Sequence, residues 1–234
     1  MSLLLLLLTA LPATAGPACD HTDTVQSALM DPGGWSPAGG SEGVTVTRKE
    51  IEAIGLTAFK GETVLPATVD AETLFEVICD VQGHVNISGS LDESTLLAKA
   101  DSVLHFYQVM AKAPLIDRRY WMVHSVVYED IGGLTGHHRR TWDGLDAGLY
   151  GEARDAVKQR YDGAFEVIEN HGSWEVQPRA DGTTLFTYRA VTDPGGAIPT
   201  GAYDTLTSRK LPNNMMKFVE AAEAVDKAAN QAAQ

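Results

Sequence analysis

Seven histidines are the first residues in this 234-residue chain that suggest chemistry. Imidazoles ligate metals and move protons near neutral pH. Here they are scattered, as His21, His84, His105, His124, His137, His138 and His171. His137 and His138 are adjacent, so on a strand they face opposite sides. No HExxH or Cys-x-x-Cys spacing gathers any ligand set, and no metal site is expected. A nucleophile elbow, a P-loop and a Rossmann glycine pattern are equally absent from the sequence. Gly132-Gly133 and Gly195-Gly196 read as turns without phosphate-loop spacing. Asp117-Arg118-Arg119 precedes a strand, and reads as an ion-pair set that orders a loop or as a charged rim at a cavity mouth. Tyr107, Trp121, Trp174, Phe186 and Tyr188 sit in strand-like runs, either as core or as the lining of a cavity. No catalytic residue is assigned.

The segments that must position these groups read mainly as strands. Val44, Val46 and Arg48 alternate with threonines, as in a half-buried strand. Leu56 to Val64 is a second strand, with Gly61 as a candidate bulge. Asp70 suits an N-cap, and Leu74, Phe75, Val77 and Ile78 form an apolar face, so Asp70 to Asp80 is a short helix ended by Gly83. Ser94 to Lys99, Ser102 to Lys112, Arg119 to Glu129 and Leu134 to Trp142 read as a meander. A polar loop follows, with a short helix at Glu152 to Gln159. Ala164 to Asn170 and Ser173 to Gln177 read as short strands about a His171-Gly172 turn. Asp181-Gly182 is a hairpin signal leading into Thr183 to Thr192. After a Gly/Pro-rich elbow, Asp193 to Pro199, a long helix is predicted from about Thr200. Its Leu206, Leu211, Met215, Met216, Phe218, Val219, Ala222 and Val225 fall largely at three- and four-residue spacing, an apolar stripe that needs a sheet to lie on. Pro212 has no N–H, so the helix is expected to bend or start anew there. This order of elements is α+β with an antiparallel sheet, not alternating βαβ.

The apolar fraction is 44% and the formal net charge is -13. That is enough apolar material for a sizeable core. The acidic surface repels phosphate backbones, which argues against nucleic acid as a partner and allows at most transient membrane contact. Leu3 to Leu8 followed by Ala13-Thr14-Ala15 reads as a signal peptide, with an apolar run too short to span a bilayer. The expectation is an exported protein, periplasmic or secreted, and monomeric. Residues 1–15 would be the signal peptide, 16–43 a flexible linker or loosely docked arm with a helical turn around Thr24 to Met30 and Trp35 as its anchor, 44–228 the folded domain and 229–234 a tail. Of the two cysteines, Cys19 lies in the arm and Cys79 in the predicted buried helix, and no bridge between them is expected.

Four stretches, in this order, resemble the START family within the wider helix-grip superfamily, which includes polyketide cyclases and the birch-pollen allergen. FKGETVLPATVDAETLFEVICD, Phe59 to Asp80, is similar to the family's second strand and sheet-packing helix. FYQVMAKAPLIDRRYWMVHSV, Phe106 to Val126, resembles its strand, P-x-x-x-D-R loop and strand. GSWEVQP and TTLFTYRAVTDPGGAIP look like its last two strands and elbow, and Thr200 to Val225 like its C-terminal lid helix. The resemblance implies a helix-grip fold: a curved antiparallel sheet wrapped around a long C-terminal helix, with a hydrophobic cavity between them. It implies a lipid or sterol-like ligand and no cofactor. On that basis Tyr107, Trp121, His124, Arg139, Phe186, Tyr188, Tyr203, Leu206 and Met215 are the candidate ligand-binding residues, with His124 and Arg139 as the polar ones.

The first functional expectation is therefore a non-catalytic binder or carrier of a hydrophobic small molecule, a lipid above all. The alternative is a cyclase or aromatase-type enzyme using the same cavity, with His105, His124 and Tyr107 as acid/base candidates. A third reading is an interaction domain with a filled core. The volume and polarity of the space between the last helix and the sheet separate the three.

Overall fold

The structure, a computed structural model, describes residues 21–112, 117–195 and 200–232. The predicted signal peptide and its cleavage site, Cys19, and the elbow residues 196–199 lie outside the described residues. Helix α1 (Thr22–Met30) leads into strands β1 (Ser36–Ser41), β2 (Val44–Ile51) and β3 (Leu56–Leu65). Helices α2 (Ala71–Cys79) and α3 (His84–Ile87) precede β4 (Leu91–Ala100), β5 (Val103–Met110), β6 (Arg119–Tyr128) and β7 (His138–Gly144). Helix α4 (Gly151–Arg160), β8 (Phe165–Glu166), β9 (Asn170–Pro178), β10 (Thr184–Thr192) and helix α5 (Thr200–Ala232) complete the chain.

Nine strands pair antiparallel in the order β1-β2-β3-β10-β9-β7-β6-β5-β4, and the short β8 pairs parallel with β6. The meander read from sequence is β4 to β7. Helix α5 packs against α2, α3 and the β1–β3 side of the sheet. Its stripe is buried in the middle, at Leu211, Met215, Phe218, Val219 and Ala222, whereas Leu206 and Val225 at the ends are 42% and 49% exposed. Helix α2 begins as its sequence dictates: the Asp70 carboxylate accepts the Thr73 backbone N–H at 2.8 Å, and Leu74, Phe75 and Ile78 enter the core. These residues and the inner sheet face form one large cluster with Phe106, Trp142, Trp174 and Phe186. The outer face is covered as well. Val157 of α4 packs with Tyr107, Val109, Tyr120 and Met122. Val25 and Leu29 of α1 pack with Ile51, Ala58 and Val191.

Four local readings change. The helical turn expected around Thr24 to Met30 is the full helix α1, whose Val25 and Leu29 cover the apolar outer sheet face with Trp35, and the rest of the stretch expected as a loose arm, 16–43, includes strand β1. His171-Gly172 is not a turn but lies within β9, where a Cβ on Gly172 would overlap the Trp142 ring and the Arg189 carbonyl. Gly61 sits in regular register, opposite Val46 and Tyr188, and not in a bulge. Its missing side chain makes room for Leu211 and Met215, which lets α5 lie close against β3 there. Helix α5 runs through Pro212 as one element and does not start anew there, with Pro212 and Leu211 buried.

Gly61→Ala places a methyl group where Leu211 and Met215 now lie. Both side chains have some freedom to shift, so a loss of about 1–3 kcal/mol in urea unfolding is expected. An unchanged urea midpoint would mean that α5 does not approach β3 this closely.

Candidate ligand-binding site

Strand alternation decides which residues meet α5. Register pairs Arg140 with Trp174, and Trp174 with Tyr188, so these three share the inner face. Phe106 and Gln108 of β5, with Trp121 and Val123 of β6, continue that face. Together with His84 of α3 and with Asn214 and Phe218 of α5, they line a cavity of about 180 Å³. One water occupies about 30 Å³ in the liquid, so the core is not filled solid here.

The wall is aromatic. Trp174 lies 4.3 Å from Tyr188 and 4.9 Å from Phe218 between ring centres, and Trp142 lies 5.6 Å from Tyr188. Set into it is a polar chain. The Gln108 amide nitrogen donates to Ser94 Oγ at 3.0 Å and to His84 Nδ1 at 3.0 Å, and its oxygen accepts Trp121 Nε1–H at 3.1 Å. His84 Nε2 donates to the Ile78 carbonyl at 2.9 Å. Burial, then the Arg140 charge, lowers the His84 pKa to about 3. At neutral pH this imidazole is uncharged, and both its nitrogens are engaged.

Arg140 is the unusual member. Its side chain is buried, with the guanidinium 5.5 Å from the Phe106 ring centre. Nη1 donates to the Ile78 carbonyl at 2.5 Å, while Nε is buried without a partner. Among the described residues no carboxylate pairs with it. Burial pulls its pKa down to about 10, so it still carries its charge at neutral pH. A buried cation without an anion is costly. Tyr188 adds a phenol that burial pushes well above its ordinary range. The site therefore offers an apolar aromatic wall, a fixed amide chain and one unneutralised positive charge.

Of the residues singled out from sequence, Trp121, Trp174 and Tyr188 line this cavity. Phe186 lies in the core, stacked on Trp174 at 5.5 Å, and Met215 is fully buried beside Gly61. Tyr203 is half-buried near the start of α5, and Leu206 is exposed. Tyr107, His124 and Arg139 are directed to the outer face, away from the cavity. Tyr107 donates to Glu93 at 2.5 Å, and Arg139 pairs with Glu175 at 2.7 Å. His124 Nδ1 lies 2.9 Å from His105 Nε2, and His105 Nδ1 lies 3.1 Å from the Tyr150 hydroxyl. Burial, then the neighbouring His124, brings the His105 pKa down to about 4, and burial lowers His124 too. The physical reason is phase: on β7 the inner positions are His138, Arg140 and Trp142, one residue out of step with Arg139. Arg140, Gln108, His84 and Asn214 were missed. Trp142, two positions from Arg140, was the available signal, because a tryptophan marks the buried phase of its strand. Asp117-Arg118-Arg119 ties loops together. Arg118 pairs with Asp92, and Arg119 donates to the Asp117, Pro194 and Gly195 carbonyls, which fixes the start of the elbow beside β6.

The fold of human STARD10 matches this one with a TM-score of 0.72 at 16% identity, over 92% of this chain and 84% of that one. The STAR-related lipid transfer protein of Xanthomonas axonopodis matches with a TM-score of 0.61 at 21% identity, over 82% of this chain and 97% of that structure. In sequence, an uncharacterised protein of Pseudomonas aeruginosa is 23% identical over 189 residues, 81% of this chain and 87% of its own. No family model matches the chain. The architecture is the START-like helix-grip fold: a curved antiparallel sheet gripping a long C-terminal helix, with a cavity of about 180 Å³ between the two.

Proposed function

We propose that this domain binds a hydrophobic small molecule, a lipid, beneath α5 without transforming it, and that Arg140 receives the ligand's anionic or strongly polar end. The observation that carries this reading is the buried guanidinium, unpaired by any described carboxylate, in an aromatic-walled cavity. Apolar walls with a few fixed polar groups are how such pockets set ligand orientation. An anion there would relieve a charge that no described carboxylate compensates. At about 180 Å³ the space is small against the ~300–1,000 Å³ of typical ligand pockets. It suits a compact amphiphile, or the polar end of a longer one whose chain runs out along α5. The leucine-rich start of the sequence supports a place outside the cytoplasm, and we propose a monomer.

The enzymatic alternative is less well supported. Its candidate groups His105, His124 and Tyr107 sit on the outer face. The imidazole that does line the cavity, His84, is neutral and has both nitrogens engaged, which leaves it no proton to take or give.

Mass spectrometry of organic extracts from protein purified without added ligand should reveal a co-purified amphiphile. The emptied protein should then take up a fluorescent fatty acid saturably. Clean extracts together with non-saturable uptake would sink the proposal.

A further inference from the structure

Sequence spacing gathers no metal ligands, yet the fold brings two histidines 150 positions apart onto one carboxylate. His171 is fully buried on the outer face of β9. Its Nδ1 lies 2.8 Å from Asp143 Oδ1, and its Nε2 lies 2.9 Å from Glu169 Oε2. The same Glu169 oxygen is 3.1 Å from Nε2 of His21, the residue that caps α1. One ligand atom from each of His21, Glu169 and His171 lies within 4.8 Å of the others.

We propose that His21, Glu169 and His171 bind a first-row divalent metal ion, zinc foremost, which fastens α1 to the sheet. Two imidazoles and a carboxylate are a zinc-type donor set. Around a tetrahedral ion with bonds of about 2.0–2.1 Å, neighbouring ligand atoms stand roughly 3.3–3.4 Å apart. To admit one, the N–O separations of 2.9 and 3.1 Å widen slightly and the two imidazole nitrogens, which lie within 4.8 Å of each other, draw together by a rotation of the partly exposed His21. Asp143 supplies the outer support. A metal-bound imidazole ordinarily donates its other N–H to a carboxylate, which fixes the ring and strengthens it as a ligand. Asp143 does this for His171, and is itself held by the Gln26 side chain of α1 at 2.8 Å. The ion would replace the proton that now bridges His171 Nε2 and Glu169. His21 is 37% exposed at its side chain, so the fourth position opens toward solvent and a water. The site lies on the face opposite the cavity and is independent of the lipid reading.

Chelator-treated protein would be titrated with Co(II), read by its visible ligand-field bands, and with Zn(II), read by calorimetry and thermal unfolding. Wild type should bind one equivalent of either metal, show four-coordinate Co(II) bands, and unfold a few degrees higher with zinc. Loss of a supporting residue alone costs roughly 10–100-fold in affinity, so His21→Ala and Glu169→Gln should each lose at least that much. Neither change empties the core, because His21 is partly exposed and Gln keeps the shape of Glu. The absence of stoichiometric binding by wild type would overturn the site. So would equal binding by both variants, which would leave His171 in a purely proton-bridged clamp.

Discussion

Arg140→Met should make the domain more stable and less able to hold an anionic amphiphile. The two effects have one cause. Arg140 is a buried cation whose single hydrogen bond among the described residues goes to the Ile78 carbonyl. That carbonyl does not lose its partner in the variant, because His84 Nε2 also donates to it at 2.9 Å. Methionine fills similar apolar space beside Phe106, and removes a charge that burial disfavours. A gain of about 1 kcal/mol or more in urea unfolding is expected. Binding should move the other way. A hydrogen bond to a charged group contributes about 1.5–3 kcal/mol, so a fatty acid should bind roughly 10- to 150-fold more weakly. The methyl ester of the same fatty acid, which has no charge, should lose little. Fluorescence titration of the acid and its ester against both proteins reads this directly. If the variant is less stable and binds the acid as well as wild type, Arg140 is a structural residue, and the cavity has lost its polar anchor.

The contrast between Arg139 and Arg140 shows where sequence reading stops. Element types were largely legible because the periodicities are clean. The α2 face, the β4–β7 meander and the α5 stripe all follow from spacing, and the Asp70 cap forms as drawn. What spacing does not supply is the phase of a strand covered on both faces. On β5 the alternating sets Val103, His105, Tyr107, Val109 and Leu104, Phe106, Gln108, Met110 are equally apolar. Helix α4 and its loop bury the first set, while the core and cavity take the second. Tyr107 and His124 thus went to the outer face without any local signal to say so. Glycines misled for a related reason. Gly61 and Gly172 look like interruptions in sequence, but each makes room for a side chain from a distant segment: Met215 in one case and Trp142 in the other. His21 and His171 share a carboxylate only because α1 folds back over β9, a contact with no trace in local pattern.

The same outer face holds the site of the largest expected loss of stability. Glu175 of β9 accepts His137 Nε2 at 2.8 Å and Arg139 Nη2 at 2.7 Å on one oxygen, and Arg189 Nη1 at 2.8 Å on the other. Burial alone would raise its pKa. The hydrogen bonds from Arg139 and His137, with the charges of Arg189 and Arg139, outweigh burial and hold it at about 2, against an ordinary value of 4.5. Glu175→Leu would leave two guanidiniums and an imidazole crowded around an apolar side chain. A loss of about 3–5 kcal/mol in urea unfolding is expected, as for other buried pairs broken on one side. Glu175→Gln keeps the shape and some hydrogen bonds and should lose less. The pH dependence carries a definite sign. A carboxylate depressed in the folded state stabilises it fully above its unfolded pKa. That stability drains away as pH falls through the folded pKa, here from about pH 5 to pH 2. A shift from 4.5 to about 2 corresponds to about 3 kcal/mol. Wild type should therefore lose more stability than Glu175→Gln across that window, and the two curves should converge at its acid end. Parallel curves would show that Glu175 does not hold β7, β9 and β10 together electrostatically, and that its three partners are kept in place by packing alone.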